Sequence, residues 1–165
     1  MSLKIEKVSI TTLNVDCIVN AANEQLLAGG GVCGAIFRNA GLRELQAECD
    51  KIGFCPTGQA VITNAYKLPC KKIIHTPGPI WHGGDCNEKE LLYSCYKNSL
   101  NLAKENGLKS IAFPLISAGI FRVPLNICWE MCISGCRDFL KENEMEIIIA
   151  VLDDNIMKIG QEYLG

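Results

Sequence analysis

The chain has 165 residues, 48% hydrophobic and 21% charged, so it is the size of one domain, can bury a full core and is not a disordered polymer. Sixteen basic against eighteen acidic residues leave a formal charge of −2, and no basic run exceeds Lys71-Lys72, which argues against a phosphate-driven nucleic-acid partner. No stretch approaches the roughly 18 apolar residues of a membrane span, and the first residues show no signal-peptide core. Ten cysteines without a Cys-x-x-Cys pair argue for free thiols in a reducing cytoplasm, against a disulfide framework or a zinc ribbon.

In chain order, Leu3–Ile10 alternates apolar and polar residues as a half-buried strand does, and Asp16–Asn20 is a short buried strand. A loop rich in Asn, Ala and Gly runs from Ala21 to Gly31. Cys33–Asn39 begins a helix that Gly41–Lys51 continues. Gln59–Thr63 and Lys72–His75 are strands, and Thr76-Pro-Gly-Pro breaks the chain. Leu91, Leu92, Cys95 and Leu102 form one stripe of a helix spanning Asn87–Asn106, stopped by Asn106-Gly107. Ser110–Phe113 is a buried strand, Pro114–Val123 the loop after it, and an amphipathic helix follows Pro124. Glu146–Leu152 is an almost wholly apolar strand, and Asn155–Leu164 closes the chain as a helix. Alternating strands and helices, with strands apolar on both faces, predict an α/β fold whose sheet is covered on both sides. Ligands of such sheets bind beyond the carboxyl ends of the strands, which draws attention to the small-residue loops Asn20–Gly34 and Ser117–Pro124.

Gly29-Gly-Gly-Val-Cys-Gly34 opens directly into a helix, where exposed amides attract phosphate oxygens. A flexible capping loop is the plain alternative. The spacing Gly29-x-Gly31-x-x-Gly34 formally matches a dinucleotide fingerprint, but that motif needs a tight turn from strand to helix, and residues 21–28 intervene here. A P-loop is excluded, because no Gly-Lys-Ser/Thr follows. What stays open is a wide loop around a diphosphate, gripped from the other side by Ile116-Ser-Ala-Gly-Ile-Phe121.

Val19-Asn-Ala-Ala-Asn23, Gly29-Gly-Gly-Val-x-Gly-Ala-Ile36, Ala40-Gly41, Cys55-Pro-Thr-Gly-Gln-Ala60, Ile74-His-Thr-Pro-Gly-Pro79 and Ala112-Phe-Pro-x-Ile-Ser-x-Gly119 occur in this order. Over roughly Ile5 to Leu152 the chain resembles the macrodomain family, and within it the bacterial MacroD-type hydrolases. The resemblance implies a single macrodomain over residues 1–165, a three-layer α/β/α fold with a mixed, mostly parallel central sheet. It implies ADP-ribose, an ADP-ribosylated protein or O-acetyl-ADP-ribose as partner, with no cofactor, metal or membrane. The implied activity is hydrolysis of mono-ADP-ribosyl esters or of O-acetyl-ADP-ribose; a non-catalytic reader of ADP-ribose or a related nucleotide diphosphate is the alternative, and a ligand without adenine is a third.

By the same resemblance, Asn23 would bond the distal ribose, with Phe121 beside it. The ligand-binding set would comprise Ser9, Ile10, Asn20 and Ala22, then Gly30, Gly31, Val32 and Gly34, then Ser117, Ala118, Gly119, Ile120 and Phe121. Asn23 and Cys33 are the catalytic candidates. Four places depart from the family pattern: Cys33 replaces the usual Asp and Phe37 a nearby His; Ser9 replaces the adenine-reading Asp; Val151 stands where an aromatic is frequent; and Phe121-Arg-Val-Pro124 replaces Tyr-Gly-Tyr-Pro. The thiol of Cys33 at a helix start is either reactive or a small packed group that contributes only its amide, the simpler reading. Core packing likewise explains Cys128, Cys132 and Cys136 better than a metal site, a structural hydrogen bond explains His75, and a helix N-cap explains Asp153-Asp154. His82, beside Gly83-Gly84, is weak evidence for a loop near the substrate.

Overall fold

The computed structural model describes residues 2–165. Six strands form one sheet in the order β1-β6-β5-β2-β4-β3: β1 (Leu3–Lys7), β2 (Cys17–Ala22), β3 (Val61–Asn64), β4 (Lys72–Pro77), β5 (Ser110–Phe113) and β6 (Glu146–Val151). All neighbours are parallel except the edge strand β3, which pairs antiparallel with β4. The expected mixed, mostly parallel sheet is present. Helices α1 (Gly31–Ala40) and α2 (Leu42–Ile52) cover one face; α3 (Glu88–Glu105), α4 (Leu125–Leu140) and α5 (Asp154–Leu164) cover the other.

The strand sequences explain why both faces are covered. Successive side chains point to opposite faces. Cys17, Val19, Ile111, Phe113, Ile147 and Ile149 enter the core beneath α3 and α4, while Ile18, Ala112 and Ala150 enter the core beneath α1 and α2. Cys128, Cys132 and Cys136 all lie in the first core, as packing residues. All ten cysteines are free thiols, and Cys86 alone among the described residues is exposed. No helix among the described residues is long and apolar enough to cross a membrane.

Local expectations are corrected in several places: β2 runs past Asn20 to Ala22, β4 runs past His75 to Pro77, β3 covers Val61–Asn64 in place of Gln59–Thr63, and two further boundaries move for a local reason. The first strand stops at Lys7, not Ile10, because Ser9 caps a short 3-10 turn (Ile10–Thr12) that carries Ile10 into the core; Ser9 Oγ lies 3.0 Å from Thr11 Oγ1, and Thr12 N donates to Ser9 O. The helix expected to continue from Cys33 to Lys51 is two helices. Gly41, at φ +117°, ends α1 through its N–H to Phe37 O and starts α2 by accepting from Leu45 N. Because β2, β4 and β5 are parallel neighbours, residues 23–30, 78–87 and 114–124 leave the same end of the sheet. Those three loops build the site.

Candidate functional site

Two adjoining clefts open at that end. The main one, of about 470 Å³, runs between Gly29–Cys33 on one side and Ser117, Gly119, Ile120 and Phe121 on the other. Helix α1 starts at Gly31, so its first-turn amides have no intrahelical acceptors. Those of Gly30, Gly31, Val32 and Cys33 meet no acceptor among the described residues. Gly31 takes φ +56°, and added side chains at Gly30 or Gly31 would meet only open space, so this backbone is bare towards the cleft. Gly34 has a different part: a Cβ there would stand 2.4 Å from Gly29 O, so its absence lets the loop fold onto the helix.

The second loop is held from behind. Ser117, left-handed at φ +65°, turns its hydroxyl away from the loop to donate to Pro79 O at 2.8 Å. Ala118 N donates to Leu115 O and Arg122 N to Gly119 O, while Phe121 O accepts from Trp81 N at 2.8 Å. The amides of Gly119, Ile120 and Phe121 have no acceptor among the described residues. Two rows of free N–H donors thus line one cleft, an arrangement that suits an anion with many oxygens.

Asn23 stands where the two clefts meet. Its Nδ2 donates to Leu27 O at 2.8 Å and its Oδ1 accepts from Leu27 N at 2.9 Å, which fixes the amide and leaves one N–H and one lone pair for a ligand. Cys33 is 8% exposed, and Asn20 beneath it is fully buried. Asn20 Nδ2 lies 3.7 Å from Cys33 Sγ and 3.1 Å from His75 Nδ1, and His75 Nε2 lies 2.9 Å from Thr63 Oγ1. Since the amide donates to Nδ1, the network assigns the proton to Nε2, which donates to Thr63. Burial lowers His75 to a pKa of about 4, so the ring is neutral at pH 7. It is the structural histidine expected. Burial also pushes the Cys33 thiol up, against weaker pulls from the Gly29 N–H and the Asn20 amide, so the sulfur stays protonated. Phe37 packs 6.3 Å from the His75 ring.

Of the residues singled out in sequence, Ala22, Asn23, Gly30, Gly31, Val32, Cys33, Ser117, Gly119, Ile120 and Phe121 meet at the main cleft. Ser9, Ile10, Asn20, Gly34 and Ala118 are not on its walls; Ile10, Asn20 and Gly34 are buried, and Ser9 sits on the turn after β1. Asp153 caps α5 by accepting from Ile156 N at 2.9 Å.

Sequence reasoning missed the second, side cleft of about 340 Å³. It shares Asn23 and Phe121 with the main cleft and continues past Glu24, Pro79, Ile80, His82 and Leu91. Its outer loop hangs on Glu88. Oε2 accepts from His82 N (2.7 Å) and Gly84 N (3.0 Å), and Oε1 from Cys86 N (2.7 Å). Burial opposes ionisation of this carboxyl, but these N–H groups and its own amide outweigh that and bring its pKa down to about 2. The glycines at 83 and 84 and a glutamate at the start of α3 were the available signal. Among the described residues, no group of three or more His, Cys, Asp or Glu side chains is placed to hold a metal ion.

The Macro domain family model matches residues 19–132. A macro domain-containing protein of Chlorobaculum tepidum is 47% identical over 96% of this chain and 93% of its own length. An O-acetyl-ADP-ribose deacetylase of Escherichia fergusonii is 50% identical over 82% of this chain and 78% of its own. The Oceanobacillus iheyensis macrodomain solved with ADP superposes with a TM-score of 0.91 at 39% identity, covering 97% of this chain and 88% of that one. With the family model matched over residues 19–132 and relatives this similar along nearly the whole chain, the chain belongs to the macro domain family.

Proposed function

We propose that the chain acts as one macrodomain that binds ADP-ribose in the main cleft and hydrolyses esters at the distal ribose, either mono-ADP-ribosylated acidic side chains or O-acetyl-ADP-ribose. The observation that carries the reading is the pair of unpartnered amide rows, Gly30–Cys33 and Gly119–Phe121, lining one cleft. Its volume of about 470 Å³ lies within the roughly 300–1,000 Å³ of small-molecule sites. The amides hold the diphosphate, Phe121 covers the distal ribose, and Asn23 orients its hydroxyls. The relative from Escherichia fergusonii and the Oceanobacillus iheyensis neighbour support the ligand class by what their names say of them. Ten free thiols suit a reducing cytoplasm.

In the hydrolysis, a water oxygen bonds to the acyl carbon, the bond from that carbon to the ribose oxygen breaks, and a carboxylic acid and ADP-ribose leave. No carboxylate or imidazole lies on the main cleft's walls, and the Cys33 thiol is protonated. The protein's part is therefore orientation, with the substrate's own phosphate oxygens positioning the water. The same observation favours the second reading, a reader that binds without turnover. Release of ADP-ribose from a glutamyl-modified protein, measured with and without the chain, separates the two; calorimetry with ADP-ribose, ADP and ribose 5-phosphate tests the ligand itself.

A further inference from the structure

The side cleft has no occupant on that reading. It joins the main cleft at Asn23 and Phe121, the residues assigned to the distal ribose, and extends between the Pro79–Ile80 segment and the start of α3. About 340 Å³ is room for on the order of ten waters, whereas an acetyl group has three heavy atoms. Apolar Pro79, Ile80 and Leu91 form much of its wall, and no lysine or arginine lines it. The chamber is held in shape: Glu88 gathers three N–H groups of the 82–86 loop, Ser117 Oγ donates to Pro79 O, and Trp81 N donates to Phe121 O. Glu24 Oε2 accepts both Thr57 N–H and Thr57 O–H, leaving its negative charge in the wall without a basic neighbour there.

We infer that the side cleft is the subsite for the polypeptide carrying the ester, taking the modified glutamate or aspartate together with its flanking residues. The inference rests on ADP-ribose occupying the main cleft. It makes an ADP-ribosylated protein a better ligand than O-acetyl-ADP-ribose, because only a polypeptide fills the chamber. It also predicts a preference for neutral or basic flanking residues, since Glu24 repels acidic ones.

The test is calorimetry with two probes: free ADP-ribose, and an ADP-ribosylated peptide whose ester oxygen is replaced by N–H so that it is not hydrolysed. The peptide is expected to bind about tenfold more tightly than ADP-ribose, the gain from burying roughly 60 Å² of apolar surface. Ile80→Trp, at a half-exposed position on the chamber wall, should erase that ratio while changing the affinity for ADP-ribose less than twofold. Cys86→Trp, also exposed and on the wall, is the second variant should the first fail to fold. Equal affinities of the wild-type chain for both probes, or a parallel loss of both in a folded variant, would overturn the inference and leave the ADP-ribose site standing. Failure of ADP-ribose itself to bind would overturn both readings.

Discussion

Replacing Gly119 by glutamate places a charge where the second loop is assigned to a diphosphate. Gly119 is exposed, its φ lies outside the left-handed region, and a Cβ built on it meets nothing within 4 Å. The substitution should therefore leave the melting temperature within about two degrees of the wild type, as surface changes usually do. Its effect on binding is electrostatic. A carboxylate about 6 Å from one phosphate charge is repelled by about 3 kcal/mol at an effective dielectric near 20. Screening in an open cleft reduces this by about half, and the second phosphate charge roughly restores it. A loss of about 3 kcal/mol corresponds to an affinity for ADP-ribose lower by about 100-fold. Calorimetry at two salt concentrations measures it, with Gly119→Gln as the uncharged control of nearly equal size. The glutamate variant should recover part of its loss at high salt, and the glutamine variant should bind much better than it. Unchanged affinity in a folded Gly119→Glu protein would refute the assignment of this loop to the phosphates.

Asn23→Ala should lower single-turnover release of ADP-ribose from a glutamyl-modified protein by 100-fold or more, because it removes orientation, while Cys33→Ala keeps the backbone amide and should cost less than about tenfold. Abolition of release by Cys33→Ala, with affinity intact, would make the thiol chemical and the orientation mechanism wrong. His75 has a pKa of about 4 in the fold against an ordinary 6.5, so the neutral ring's contribution is complete above pH 6.5 and is lost as pH falls through 4. Denaturant titrations should show about 3 kcal/mol more loss between pH 6.5 and 4 in the wild type than in His75→Gln, and equal slopes would count against the buried neutral ring. Ser9→Asp should strengthen ADP-ribose binding by about 1–2 kcal/mol if the base reaches the turn after β1; a titration showing no gain in the folded variant would place the base elsewhere.

What the sequence determined by itself is what short-range pattern encodes. The aliphatic runs of β5 and β6 declared strands buried on both faces, and the stripe from Leu125 to Leu140 declared a helix whose cysteines pack inward, because period and burial are visible within a few residues. The glycines before α1 and the small residues after β5 marked the end of the sheet where the clefts open for the same reason, since bare backbone requires residues without bulk. The break at Gly41 and the stop at Lys7 were less visible, because a glycine can sit inside a helix and an alternating pattern can run past a strand's last pairing. Tertiary structure alone decided the rest. Thr63, His75, Asn20 and Cys33 become one hydrogen-bonded line only because β3, β4 and β2 lie side by side with α1 packed above them. The side cleft exists only because parallel strands far apart in the chain end together, bringing residues near 24, 57, 80 and 121 to one rim. Pairing across a sheet is a long-range choice made by the burial of whole faces, and no local period records it.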